Sequence, residues 1–179
     1  MPTLQQIGFM YGTDKATAHH YLDFYEQELR GFNPSEILEI GVLDGASLRT
    51  WKLFYPDAFV CGIDIAAAKT IEGCTVYQAD AIDVYHLESL FLNNSFSLII
   101  DDGSHNTRDQ QIAFQYLFNN KLAAGGFYIM EDVHTSFISS FVNSKFTTYE
   151  LLKAKYDCRE FWRDPSIKTD SGTIIIKKQ

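Results

Sequence analysis

Five short apolar runs constrain this chain more than any other feature. They are "SEILEIGV", "AFVCGIDI", "CTVYQAD", "FSLIIDD" and "FYIMED", in that order along the sequence. Each is too short for a buried helix and rich in β-branched and aromatic residues, so each reads as a strand. Apolar runs without a polar alternation imply strands covered on both faces, which is the condition of a parallel sheet between helices. Helical spacing fits the intervals: Ala18 to Arg30, Ser47 to Phe54, "AIDVYHLESLFLN", and Thr107 to about Lys121. Gly125 and Gly126 read as the stop of that last helix, and a further helix fits Thr148 to Lys155. The expectation is one α/β domain with a doubly wound, Rossmann-like, mostly parallel sheet. Residues 1–34 read as an N-terminal helical cap segment and residues 35–179 as the core. One clear last strand, Thr173 to Lys177, suggests a shortened closing hairpin.

The carboxyl ends of these runs carry the chemistry. They finish in Gly41, Asp64, Asp80, the pair Asp101 and Asp102, and the pair Glu131 and Asp132. In an open parallel sheet, ligands bind beyond these ends, where the strand order reverses. Surface acids scattered at random would not gather there.

Composition excludes several partners. The formal net charge is -8, which suits neither nucleic acid nor an anionic membrane surface. No apolar run reaches the length of a membrane span. The start, "MPTLQQIGFMYGTDK", lacks the basic and apolar pattern of a secretory signal. Cys61, Cys74 and Cys158 form no metal-finger or redox spacing and read as reduced thiols of a cytoplasmic protein.

The loop "LEIGVLDGAS" narrows the ligand. Gly41 allows close backbone approach. A dinucleotide fingerprint needs a second glycine two residues on, and Leu43 stands there. A ligand without a pyrophosphate fits better, and S-adenosylmethionine is one. Asp64 is suited to a pair of ribose hydroxyls, with capping of the next helix as its plain structural alternative. Asp80 is suited to an adenine amine, with the same alternative. Side-chain alternation turns Asp101 and Asp102 to different neighbours, one towards the cofactor and one towards an open pocket. Crowded carboxylates repel, and a hard divalent cation such as Mg²⁺ relieves that repulsion. His105 would then stand beside the metal, able to take a proton from a substrate hydroxyl.

These segments resemble the class I S-adenosylmethionine-dependent methyltransferases. More narrowly, they are similar to the metal-dependent macrolide sugar O-methyltransferases of the mycinamicin and tylosin type. The resemblance is carried by "YGTDKATAHHYLDFYE", "ILEIGVLDGASLRTW", "CGIDI", "IIDDGSH" and "GGFYIMEDVHTS". It implies Mg²⁺ ligands at Asp102, Glu131 and Asp132, and His105 as general base. It implies Asp64 on the ribose, Gly41 against the methionine part, and Tyr11 and Thr13 covering the cofactor. The implied reaction moves a methyl group to a hydroxyl of a sugar or glycosylated small molecule in natural-product biosynthesis, in a chain able to form homo-oligomers. Two rivals remain open: a catechol-type O-methyltransferase and a non-catalytic S-adenosylmethionine-binding domain. His19, His20 and His134 receive no role.

Overall fold

The computed structural model describes residues 2–179. Seven strands form one sheet: β1 (Glu36–Ile40), β2 (Phe59–Asp64), β3 (Thr75–Gln78), β4 (Phe96–Asp101), β5 (Leu122–Met130), β6 (Cys158–Trp162) and β7 (Gly172–Lys177). Their order across the sheet is β3-β2-β1-β4-β5-β7-β6. The first five are mutually parallel, whereas β7 runs antiparallel to both β5 and β6. The order reverses between β1 and β4, which makes their carboxyl ends the switch point.

Among the described residues, seven α-helices flank the sheet: α1 (Leu4–Tyr11), α2 (Asp14–Thr17), α3 (Leu22–Glu28), α4 (Ala46–Phe54), α5 (Val84–Leu90), α6 (Thr107–Asn120) and α7 (Thr148–Lys155). Strand alternation divides the core into two layers. Ile37, Leu98, Ile100 and Ile129 pack on one face with Leu4, Tyr25, Leu48 and Trp51 from α1, α3 and α4. Leu38, Ile99, Tyr128 and Met130 pack on the other with Leu87, Phe114 and Leu117 from α5 and α6.

Local chemistry sets the helix ends. Thr3 and Gln6 form a capping box at the start of α1, and Thr147 with Glu150 does the same for α7. The helical pattern over Ala18 to Arg30 is realised only from Leu22 to Glu28. His20 has a left-handed φ of 59° and breaks the run before it. Upstream, within the segment expected to be a helical cap, α1 and α2 form where no individual helix was placed from the sequence.

Two further differences have clear causes. Gly125 and Gly126 do not end α6, which stops at Asn120; they lie inside β5. The pairing of β4 with β5 shifts register at this level, and a Cβ on Gly126 would stand 2.8 Å from the Ser97 carbonyl oxygen. The glycines serve a bulge, a role that reads like a stop signal in sequence. The closing hairpin is a full pair of strands. The partner that showed only faintly in sequence is β6, whose polar positions Arg159 and Glu160 mask its period. No helix among the described residues is long and apolar enough to cross a membrane.

Candidate functional site

Two small clefts open at the switch point, of about 140 and 130 Å³, and both are lined by Gly41. The first runs over Ile63, Asp64, Asp80, Asp101 and Gln110. The second runs over Thr13, Lys15, Glu39, Ser47 and Asp102. Gly41 has a φ of 85°, and a Cβ there would meet the Asp102 carbonyl oxygen at 2.1 Å. Only glycine allows the ends of β1 and β4 to approach this closely. Gly41 is the lining residue that the two clefts share.

The first cleft has an apolar wall and acidic rim. The Asp64 carboxylate accepts the backbone N–H groups of Val42, Leu43 and Ala66 at 2.9, 3.1 and 2.8 Å. Partial burial works against its ionised form, but these donors outweigh it and hold the carboxyl below its ordinary range. Asp64 is therefore no helix cap: it ties the end of β2 to the glycine loop. Asp80 accepts the Ile82 N–H at 3.1 Å in a local turn, while Asp83 caps α5. Asp101 is buried and accepts the Tyr128 hydroxyl at 2.8 Å. Burial pushes its carboxyl up to about 6, against that hydrogen bond. The Gln110 side chain donates to the Glu131 carbonyl at 3.3 Å and leaves its own buried oxygen without a partner.

Alternation sends Asp102 to the opposite face from Asp101. Glu39 of β1 and Glu131, just past β5, project to that same face. β1, β4 and β5 are neighbours in the sheet, so three carboxylates converge. Lys15 meets them. Its buried ammonium binds Asp102 Oδ2, Glu131 Oε2 at 2.9 Å and Glu39 Oε1 at 3.3 Å. Burial works to lower the Lys15 pKa, but the three acids overcome it and raise it well above the ordinary lysine value. Glu131 is raised in turn, chiefly by burial and against the pull of Lys15. Glu39 is pushed up to about 7 by burial, opposed by Lys15 and by the Ser47 hydroxyl, which donates to it at 2.6 Å.

Beside this knot, Asp102, His105 and Asp132 each offer a ligand atom, and those atoms lie within 4.8 Å of one another. His105 Nε2 stands 3.9 Å from Asp102 Oδ1 and 3.6 Å from Asp132 Oδ2. His105 and Asp132 both adopt left-handed backbone, with φ of 60° and 52°. Non-glycine residues are held so only where the surroundings impose it, and such strain gathers at functional sites. His134 adds a ring nitrogen 3.7 Å from Asp132 Oδ1, and burial lowers its pKa.

The residues singled out from sequence therefore separate into groups. Gly41, Asp64, Asp80 and Asp101 line the first cleft, and Gly41, Thr13 and Asp102 line the second. Asp102, Asp132 and His105 form one cluster. Glu131 is not in it: one oxygen is bound to Lys15, and the other is buried without a partner. Tyr11 lies elsewhere, in a shallow groove with Arg49, Lys52 and Glu72. Sequence reasoning missed Lys15, Tyr21, Glu39 and Gln110. Glu39 was within reach: an acid inside an otherwise apolar strand is a signal of a buried partner. Lys15 carried no such signal, because a lysine in a polar segment reads as a solvated one.

No family model matches the chain. It is 33% identical over 153 residues to an 8-demethyl-8-alpha-L-rhamnosyl tetracenomycin-C 2'-O-methyltransferase of Streptomyces olivaceus, covering 79% of this chain and 40% of that protein. It is 31% identical over 151 residues to an L-olivosyl-oleandolide 3-O-methyltransferase of Streptomyces antibioticus, covering 76% of this chain and 38% of that protein. The chain thus spans about two fifths of the curated relatives it matches. Among solved structures, it superposes on the MycE methyltransferase from the mycinamycin biosynthetic pathway, in complex with Mg, SAH and mycinamycin VI. The TM-score is 0.83 at 24% identity, over 99% of this chain and 55% of that one.

Proposed function

We propose that this chain, which has the class I methyltransferase fold and is related in sequence to sugar O-methyltransferases, is the catalytic core of a Mg²⁺-dependent enzyme of that kind. Its reaction would carry the methyl group of S-adenosylmethionine to a hydroxyl of a sugar on a small molecule. The observation that carries the reading is the cluster of Asp102, Asp132 and His105 beside the two clefts that meet at Gly41.

The residues present fit both groups. Two carboxylates with no thiolate suit a hard divalent cation that keeps some waters, and they leave the neighbouring imidazole to act as a base. Asp102 and Asp132 would hold it, with Glu131 tied to Lys15 outside that set. The unpartnered Gln110 oxygen and the Asp80 carboxylate are acceptors of the type an adenine amine requires. Asp64 offers ribose hydroxyls a carboxylate that its backbone donors hold below the ordinary range. Thr13, Glu39 and Ser47 line the cleft left for the amino-acid portion. When bound, the cofactor supplies an electrophilic methyl on a sulfonium, and the cation orients and acidifies a substrate oxygen.

The chain's own contribution is orientation and proton transfer. His105 Nε2 faces the carboxylate cluster and would accept the proton of the substrate hydroxyl, while the cofactor, when bound, would supply the methyl group and retain the electron pair of its S–C bond. Holding the acceptor oxygen in line with the methyl group is the larger part of the rate gain.

The test uses labelled S-adenosylmethionine with a panel of deoxyhexosyl glycosides and catechols. Turnover on glycosides that EDTA silences and Mg²⁺ restores, with poorer restoration by Zn²⁺, is the expected result. Full turnover after exhaustive dialysis into EDTA would overturn the metal assignment, and turnover of catechols alone would overturn the substrate class. Calorimetric binding of S-adenosylhomocysteine with no turnover of either panel would leave a binding domain.

A further inference from the structure

The two carboxylates of the cation cluster are each gripped from behind by the same N-terminal segment. Lys15 binds Asp102 through Oδ2, and Asp102 Oδ1 faces His105. The Tyr21 hydroxyl donates to Asp132 through Oδ1 at 2.9 Å, and Asp132 Oδ2 faces His105. In both cases one oxygen is occupied and the other is turned inward. Neither grip is loose. Lys15 is 1% exposed, and its three N–H groups have three carboxylate acceptors. Tyr21 is fully buried, with its ring packed against Tyr25 and Phe161 and its hydroxyl also within 3.2 Å of the Gly172 carbonyl. The two holders come from opposite ends of one turn of chain, Lys15 in α2 and Tyr21 at the start of α3.

An unheld aspartate rotates about its last bond and presents either oxygen, so a cation must order it on binding. A group that occupies one oxygen beforehand removes that cost, which is how outer partners tune ligand groups. We propose that Lys15 and Tyr21 are positioning residues that aim Asp102 and Asp132 at a common divalent cation, making the N-terminal segment part of the metal site without ligating it. The inference rests on reading Asp102 and Asp132 as cation ligands.

Mn²⁺ is the probe, titrated into the cofactor-free chain and followed by the paramagnetic resonance of the free ion. Tyr21→Phe removes a single oxygen atom and keeps the ring packing. It should weaken Mn²⁺ about tenfold, the lower end of what loss of an outer partner costs. The loss should vanish in an Asp132→Asn background, because both changes act through one carboxylate. Tyr116→Phe, which loses a comparable hydroxyl-to-carboxylate bond to Glu88 between α5 and α6, should bind as the wild type does. Lys15→Met should also weaken Mn²⁺, even though it removes a repelling positive charge.

Wild type that binds no Mn²⁺ would overturn the cation reading and this inference with it. Wild type that binds while Tyr21→Phe stays within twofold, or loses affinity independently of Asp132, would overturn the inference and leave the cation site standing. Tighter binding by Lys15→Met would overturn the part given to Lys15, which would then be a competing charge. Tyr21→Phe keeps the proposal open to refutation if Lys15→Met does not fold.

Discussion

The two halves of the sheet's carboxyl edge hold their acids by opposite means. On the β2 side, Asp64 is fixed by three backbone N–H groups, two from the adjoining glycine loop and one from Ala66. On the β4 and β5 side, Asp102 and Glu131 are fixed by a lysine, and Asp132 by a tyrosine, from far upstream in the sequence. The first device is local and survives any side-chain change that spares the loop. The second is a buried ionic knot that requires a distant segment to be in place. The difference teaches that the Asp64 side is built into the strand ends, whereas the acidic side requires the N-terminal segment to be docked.

The sharpest break of this comparison is on the acidic side. His105→Ala should lower turnover by about 10² to 10⁴ with cofactor affinity nearly unchanged, the usual contribution of a positioned base. Steady-state kinetics with calorimetry of S-adenosylhomocysteine checks it, and turnover within twofold of wild type would remove His105 from the chemistry. Asp102→Asn should abolish Mg²⁺-dependent turnover while the cofactor still binds. Asp101→Asn, on the other face with Tyr128, should instead disturb stability or cofactor affinity.

Next in size is the knot itself. Lys15→Met leaves Glu39, Asp102 and Glu131 without their shared cation and should cost about 3–5 kcal/mol of folding stability, the range for breaking a buried ion pair. Urea unfolding in EDTA measures it, and added Mg²⁺ should stabilise the wild type more than the variant, whose cation site is also weakened. A loss below about 1 kcal/mol would mean that the acids are satisfied locally after all, as on the β2 side.

Glu39 gives the comparison a pH signature. Its folded carboxyl is pushed up to about 7 from an ordinary 4.5, by burial opposed by Lys15 and Ser47. Between those values the folded chain holds more protons than the unfolded one, so stability falls as pH rises through the window. The contribution is up to about 3 kcal/mol at 1.36 kcal/mol for each pKa unit. Glu39→Gln should flatten that stretch of a melting-temperature profile taken from pH 4.5 to 7. An unchanged slope would assign it to other groups.

The smallest effect belongs to the β2 side. Asp64→Ala should weaken S-adenosylhomocysteine by about 1.5–3 kcal/mol, the worth of a hydrogen bond to a charged group. A loss of stability with unchanged affinity would mean that Asp64 serves only the glycine loop.

How much of this was legible without the structure follows from the range of each interaction. Strands β1, β2, β3 and β4 were legible because unbroken apolar runs between helical patterns have few other uses. The start of β5 was not: Leu122 follows α6 at once, and the glycine pair of a bulge has the composition of a helix stop. Strand β6 was obscured because its half-exposed pattern, with Arg159 and Glu160 in the middle, lacks a clean period. The opposed facing of Asp101 and Asp102 was legible, since alternation along a strand is a property of the backbone. The turn of Glu131 towards Lys15 was not, because it depends on a side chain 116 residues away.

The amino-acid sequence alone fixes the parallel part of the sheet, its acidic carboxyl edge and the glycine loop. Each of these follows from backbone geometry acting over a few residues, where a period of two or a missing Cβ suffices. Only the tertiary structure decided which acids share a cluster and which are neutralised. That choice depends on the docking of α2 and α3 over β1, β4 and β5, and on the electrostatic demand that buried carboxylates find a partner wherever the fold brings one.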